Sequence, residues 1–151
     1  GAGKQERVRD IVRFSSILTA SITGAITIIA LTTPTILIRL FTDDASVLEE
    51  GARYLRIVGL NYVPLALMFT ITGVMRGAGD TVPSMIISFF TLWLVRVPAA
   101  WALSTALGWG PAGVWWAVVG STTLGFLLNY LYYRTGNWKR KVITQRKPAP
   151  A

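Results

Sequence analysis

Four long apolar stretches dominate this sequence of 151 residues and constrain its fold more than any other feature. They cover residues 14–38, 57–75, 82–109 and 110–133, and the third is interrupted by one charged residue, Arg96. An α-helix rises about 1.5 Å per residue, so about 20 residues cross a hydrocarbon layer roughly 30 Å thick. The sequence therefore predicts an all-α membrane protein with four transmembrane helices, at residues 14–40, 56–76, 82–108 and 111–133.

The rest of the chain is too short for a separate soluble domain. Apolar residues make up 52% of the sequence and charged residues 15%, below the charge of an ordinary soluble domain. The longest polar runs are the two ends and residues 42–56, which we interpret as a loop. We predict that residues 142–151 form a disordered tail.

The distribution of charge predicts the orientation in the membrane. The net charge is +8, and four spans place both ends and the turn near residue 76 on one side. That side carries eleven basic residues: Lys4, Arg7, Arg9, Arg13, Arg76, Arg134, Lys139, Arg140, Lys141, Arg146 and Lys147. It carries three acidic residues, and the opposite side carries three basic and four acidic ones. This asymmetry indicates cytoplasmic termini in an inner (plasma) membrane, with lipids rather than nucleic acid as the partner.

The absence of cysteine and histidine excludes several kinds of site. Disulfides, Cys/His zinc sites and Ser-His-Asp triads cannot form within this chain. We therefore expect no catalytic residues, no metal site, no cofactor and no enzymatic activity. The sequence begins at Gly1 without an initiator Met, so we expect a truncated or partial record of a longer protein.

The second span contains polar residues and a proline. Helical spacing places Asn61, Pro64, Met68 and Thr72 on one face. Broken helices and buried amides often mark transport sites, so we expect Asn61, Met68 and Thr72 to line a substrate pathway. The alternative is that Asn61 hydrogen-bonds a neighbouring helix.

Arg96 lies near the middle of the third span, where a charge costs about 2.5–3.5 kcal/mol on insertion scales. No acidic residue lies in any of the four spans. We therefore expect Arg96 to bond to carbonyl groups, water, lipid head groups or residues absent from this chain. Two roles stay open: a structural anchor, or a direct part in a transport pathway.

The turn between the second and third spans has the sequence of a tight cytoplasmic loop. Gly77 and Gly79 permit the turn, Arg76 precedes it, and Asp80 is expected to cap the next helix. On the opposite side, Asp43 or Asp44 is expected to cap a short helix.

The fourth span carries small residues at every fourth position, ending in a polar amide: Gly113, Ala117, Ser121, Gly125 and Asn129. Such a stripe lets helix backbones approach closely in lipid, so we predict a packing face. The flanking aromatic residues predict interfacial belts at both ends: Trp109, Trp115 and Trp116, then Tyr130, Tyr132, Tyr133 and Trp138.

Several short motifs in this order and spacing resemble one transporter family. They are GAGK before the first span, LFTDDASV followed by YLRI, VMRGAGDTVPSM, RVPAAW and GPAGVWWA. Together they resemble the carboxy-terminal part of multidrug and toxic compound extrusion (MATE) transporters. The resemblance covers the chain up to about Lys141.

The resemblance implies a twelve-helix transporter with two six-helix lobes. Residues 1–141 would then be the last four spans, part of one lobe, with the missing N-terminal spans as their partner. The family exports cationic or amphipathic compounds, including small organic cations, in exchange for Na⁺ or H⁺ by alternating access. Some branches carry an acid in the second of these spans; this sequence has none there, so we expect the coupling ion to bind outside this fragment. The alternatives are a flippase for lipid-linked saccharides and a non-transporting membrane scaffold.

Overall fold

The chain forms a helical bundle in a computed structural model that describes residues 5–140. Its α-helices are α1 (Gln5–Thr32), α2 (Pro34–Arg39), α3 (Ala45–Gly59), α4 (Tyr62–Gly77), α5 (Val82–Phe89), α6 (Val97–Trp101) and α7 (Pro111–Thr135). Three helical segments are long and apolar enough to cross a membrane: Asp10–Thr32, Val82–Ala106 and Pro111–Thr135. The bent pair α3–α4 makes a fourth if it counts as one span. The predicted all-α membrane fold is thus confirmed, while the tail prediction for 142–151 lies outside the described residues.

The first predicted span is a long helix followed by a break. Helix α1 begins nine residues before the predicted start at Phe14 and ends at Thr32. Helix α2 begins at Pro34, one residue after the break at Thr33. Proline lacks the N–H that would continue the hydrogen-bond ladder but suits the first position of a new helix, which explains a break at Thr33.

The second predicted span is longer than expected and is bent. Residues 42–56 are not a loop, because α3 begins at Ala45; it meets α4 at 41° across a two-residue break at Leu60 and Asn61. Pro64 cannot donate a hydrogen bond to the carbonyl group of Leu60, four residues earlier, so the chain breaks there. Pro64 then falls within the first turn of α4, where a missing N–H costs little.

The third span runs without interruption from Val82 to Ala106 but alternates between two helix types. The π-helical turns Phe90–Arg96 and Ala102–Ala106 flank α6. Pro98 lies in the first turn of α6 and removes one N–H donor from the ladder. Wider turns on either side are one way in which a helix accommodates such a loss.

The two ends of the bundle differ in what they contain. We call the end with Gln5, the turn at Gly79 and Gly136 the terminal end, and the end with Thr33 and Gly110 the loop end. At the terminal end Met75, Ile71 and Trp138 form a buried core cluster. Trp138 stacks on Tyr133 at 5.4 Å, and its Nε1–H donates to the Tyr133 carbonyl group at 3.0 Å. The prediction of Trp138 as an interfacial belt residue was therefore wrong, because the chain folds back after α7.

The surfaces of α1 and of the third span remain largely apolar and exposed. Phe14 and Ile28 on α1, and Leu94 and Trp101 on the third span, each expose more than half of their surface. Such faces are typical of helices that contact lipid or further transmembrane helices.

Of the two candidates, Asp44 rather than Asp43 caps α3. The Asp44 carboxylate accepts hydrogen bonds from the Ser46 N–H at 2.8 Å, the Ser46 hydroxyl at 2.7 Å and the Val47 N–H at 3.4 Å. These bonds, chiefly the one from the Ser46 hydroxyl, lower the pKa of Asp44 below its usual 3.8. A lowered pKa means that this cap stabilises α3 fully above pH 3.8 and loses its effect as the pH falls through the folded-state value.

We expect acid to fray the start of α3, and Asp44→Asn to abolish that response. An asparagine amide still caps but does not titrate in this range. Hydrogen exchange at the Ser46 and Val47 amides should accelerate on acidification, beyond the intrinsic pH trend, only in the unmodified protein. Identical exchange profiles for the two proteins would show that Asp44 ionisation does not hold this turn.

Candidate functional site

Arg96 bonds to two side-chain hydroxyl groups on the neighbouring span. It is the fifteenth of the 25 residues of Val82–Ala106, so it lies well inside the predicted membrane. Its Nε–H donates to Ser121 Oγ at 2.8 Å, and its Nη2–H donates to Thr122 Oγ1 at 3.0 Å. We expected carbonyl groups, water, lipid head groups or absent residues as partners, and the sequence reasoning missed these hydroxyls. The available signal was Ser121 in the small-residue stripe with a second hydroxyl residue, Thr122, next to it.

The hydroxyl groups orient Arg96 without neutralising it. The Ser121 hydroxyl donates a hydrogen bond to the Val118 carbonyl group at 3.1 Å, which leaves the Oγ lone pairs to accept from the guanidinium. Arginine has five N–H donors, and Ser121 and Thr122 are neutral acceptors. The positive charge therefore remains available to a further group, and Arg96 is only partly buried.

Asn61 lies at the break between α3 and α4. Its side chain is 5% exposed, it occupies the cap position of α4 without capping it, and its Oδ1 has no hydrogen-bond partner among residues 5–140. A buried amide oxygen without a partner costs free energy comparable to a lost hydrogen bond. The structure thus places an available acceptor at the bend of a broken span.

Met68 and Thr72 make contacts inside the bundle. The Met68 sulfur lies 3.4 Å from the position that a Cβ on Gly125 would occupy, so Met68 packs against α7. Thr72 is buried, and its hydroxyl donates to the Phe69 carbonyl group at 3.2 Å. Asn61 lies at the break before α4, whereas Met68 and Arg96 both contact α7. The pathway role of all four candidates stays a prediction.

The turn at the terminal end differs from expectation at two residues. Gly79 has φ 82°, so the turn requires glycine there; Gly77 ends α4 without a positive φ and, like Arg76, is exposed. The cap position of α5 belongs to Thr81 rather than Asp80. Asp80 is buried, and its Oδ2 accepts a hydrogen bond from the Tyr132 hydroxyl at 2.6 Å. This contact joins the turn to α7.

The small-residue stripe of α7 faces the interior of the bundle. All five of its members are buried: Gly113, Ala117, Ser121, Gly125 and Asn129. The closest approach is at Gly113, where a Cβ would lie 2.5 Å from backbone atoms of Leu103 and Ser104. Asn129 donates from Nδ2 to the Gly125 carbonyl group at 2.8 Å, while its Oδ1 is unpartnered among the described residues. The stripe packs against the third span and α4.

Within residues 5–140, no three histidine, cysteine, aspartate or glutamate side chains gather in a way that could hold a metal ion.

Comparison with known proteins gives consistent similarities over almost the whole chain. The family model MatE matches residues 1–102. The probable multidrug resistance protein NorM of Thermotoga maritima is 31% identical over 147 residues, which are 97% of this chain and 32% of that protein. The probable multidrug resistance protein YoeA of Bacillus subtilis is 29% identical over 96% of this chain and 31% of that protein. Multidrug and toxin extrusion protein 1 of Pongo abelii is 26% identical over 93% of this chain and 25% of that protein. This chain thus spans about a third or less of each relative.

Proposed function

Because this chain belongs to the MatE family, we propose that it is the carboxy-terminal part of a secondary antiporter that exports cationic or amphipathic compounds. The observation that carries the proposal is similarity over 97% of the chain to a protein named for multidrug resistance. In this proposal residues 1–141 belong to one lobe, the termini are cytoplasmic, and the missing spans supply the rest. Export is driven by Na⁺ or H⁺ that binds outside this fragment, and no cofactor takes part.

The broken span supports a pathway role for Asn61. A broken helix bends more easily than a continuous one, because Pro64 cannot donate the hydrogen bond that would tie α4 to the Leu60 carbonyl group. The unpartnered Asn61 Oδ1 sits at this hinge and can accept a bond from a passing ammonium group or from water. Met68 and Thr72 lie about two and about three turns further along α4, so they would meet a substrate once α4 moves away from α7.

Arg96 has a different part in this proposal. It holds the third span to α7 through Ser121 and Thr122. A fixed positive charge in the membrane repels organic cations, so we assign Arg96 to the wall that limits the pathway rather than to the surface that binds substrate. The relatives named for multidrug resistance favour this function over the flippase and scaffold alternatives.

The test is efflux of a fluorescent cationic dye from cells that express the full-length parent. We expect efflux to fail either without Na⁺ or with a collapsed proton gradient, and the condition that stops it identifies the coupling ion. Efflux that survives both conditions, or no efflux from a well-expressed parent, would contradict the antiporter.

In the same assay Asn61→Ala and Thr72→Ala should each lower efflux severalfold, whereas the exposed control Asn137→Ala should not. Unchanged efflux in the first two variants would remove both residues from the pathway.

A further inference from the structure

A cavity of about 570 Å³ opens at the loop end between α3 and the start of α7. Its lining residues are Arg53, Ile57, Gly108, Trp109, Ala112 and Trp116. Ligand sites commonly measure roughly 300–1,000 Å³, so the space is large enough for a small molecule or for the head group of a larger one. One guanidinium group and two indole rings give it a cationic and aromatic lining.

The walls of this cavity are held in place without a ligand. Tyr54 of α3 and Trp115 of α7 meet edge to face at 5.4 Å beside it. The loop that carries Trp109 is tied to the third span, because the Trp109 N–H donates to the Leu103 carbonyl group at 3.1 Å and the Gly110 N–H to that of Ser104 at 3.2 Å. A preformed site loses little conformational entropy when it binds.

The charge of the cavity selects an anion. Arg53 is exposed and forms no ion pair with any residue that the structure describes, although Glu49 and Glu50 lie one turn earlier on α3. Aromatic rings alone would also attract an organic cation, but the guanidinium at the same cavity would repel it. Arginine pairs with phosphate and carboxylate groups through two parallel N–H bonds.

The depth of the cavity matches the head-group level of a membrane. The 16 residues of α4 rise about 24 Å, some 6 Å less than a hydrocarbon layer of roughly 30 Å. Arg53 lies seven residues before Leu60 on α3, and α3 is tilted by 41° from α4. These seven residues therefore extend the span by about 8 Å along the direction of α4. Arg53 therefore lies near the boundary between acyl chains and head groups, where tryptophans such as Trp109 and Trp116 also concentrate.

We propose that this cavity is a binding site for the phosphate group of an anionic phospholipid. Arg53 donates its N–H groups to the phosphate oxygens, and Trp109 and Trp116 pack along the glycerol backbone and the first acyl carbons. Ile57 lies one turn deeper than Arg53 on α3 and contacts the acyl chain. A soluble phosphate offers the same oxygens, but it gains nothing from the indole rings and apolar floor; these surfaces favour the lipid as the source.

The experiment uses the full-length parent in neutral detergent and native mass spectrometry. Phosphatidylglycerol is titrated against phosphatidylcholine with the same acyl chains, and inorganic phosphate in excess forms a second arm. Arg53→Gln removes the charge, and Arg53→Lys keeps the charge but loses the paired geometry. Arg39→Gln is the matched control, because Arg39 is an exposed arginine at the same end that does not line the cavity.

We expect the unmodified parent to prefer phosphatidylglycerol, and Arg53→Gln to weaken its binding about tenfold, as for loss of a hydrogen bond to a charged group. The affinity of Arg53→Lys for phosphatidylglycerol should lie between those of Arg53→Gln and the parent, and Arg39→Gln should match the unmodified parent.

If Arg53→Gln does not fold, the comparison is made with the lysine variant. Equal binding by the Arg53 variants and the parent, or equal binding of phosphatidylcholine, would overturn the site. Displacement of the lipid by inorganic phosphate would overturn the lipid assignment in favour of a soluble anion. Neither result bears on the dye efflux assay, so this proposal and the antiporter proposal fail independently.

Discussion

Gly113→Ala should destabilise the full-length parent by about 3 kcal/mol or more, the largest effect that we expect from any single methyl group in this chain. A Cβ at Gly113 would lie 2.5 Å from the Leu103 carbonyl carbon and the Ser104 nitrogen, and 2.8 Å from the Leu103 oxygen. These are backbone atoms of the third span, so they cannot turn away as a side chain would. The two helices would have to separate at the loop end, with loss of contact along the stripe.

Two other glycines of α7 give a graded control for this prediction. A Cβ at Gly125 would meet Thr91 Oγ1 at 3.3 Å and the Met68 sulfur at 3.4 Å, and side chains of this kind can shift by a few tenths of an ångström. A Cβ at Gly120 would meet nothing within 4 Å. The apparent melting temperature in detergent should therefore fall most for Gly113→Ala, less for Gly125→Ala and hardly at all for Gly120→Ala. A melting temperature of Gly113→Ala equal to that of the parent would refute the close approach of α7 to the third span.

Removing the partners of Arg96 should harm stability more than removing Arg96 itself. Thr122→Val leaves a guanidinium N–H without its acceptor in a medium of low polarity, and we expect a loss of about 1.5–3 kcal/mol. Arg96→Leu also breaks both bonds, but it removes a charge whose insertion costs about 2.5–3.5 kcal/mol. The lost hydrogen bonds and the removed insertion cost nearly cancel, so the stability of Arg96→Leu should stay within about 1 kcal/mol of the parent.

A double-mutant cycle measures this difference directly. In the Arg96→Leu background Thr122→Val should cost almost nothing, because no stranded donor remains. Thr123→Val is the matched control, since the Thr123 hydroxyl donates to the Val119 carbonyl group of its own helix at 2.8 Å rather than accepting from Arg96. Equal losses of stability from Thr122→Val with and without Arg96 would show that the two side chains are not coupled.

Dye efflux by Arg96→Leu then separates a structural anchor from a direct part in transport. A tenfold loss of efflux at unchanged stability indicates a part in transport, and full efflux indicates an anchor only.

Most of the fold followed from local properties of the sequence. The long apolar stretches, the positions of proline and the four-residue period of the α7 stripe depend on residues close together in the chain. The period of the stripe predicts a packing face, and all five of its residues are buried in the bundle. The break at Leu60 and Asn61 could also be predicted from the sequence, because Pro64 removes the donor that the Leu60 carbonyl group needs. The loop predicted at residues 42–56 rests on the polarity of that run, and its charged residues lie on the exposed side of α3.

The candidate site was harder to predict, because its contacts join residues far apart in sequence. Arg96 and Ser121 are 25 positions apart, and Asp80 and Tyr132 are 52 apart. Asp80 before a helix fits a capping residue, and only the position of Tyr132 shows that its carboxylate has another partner. Trp138 after a span fits an interfacial belt until the chain is seen to fold back over Met75.

The sequence by itself therefore determined that this chain crosses a membrane as helices, roughly where each span lies and which face of α7 packs, because hydrophobic length and helical period are properties of one segment at a time. Only the tertiary structure decided what Arg96, Asp80 and Trp138 bind and where the cavity beside Arg53 opens. Those outcomes depend on the rotation and depth of each helix relative to its neighbours, which the packing of side chains from different spans sets jointly.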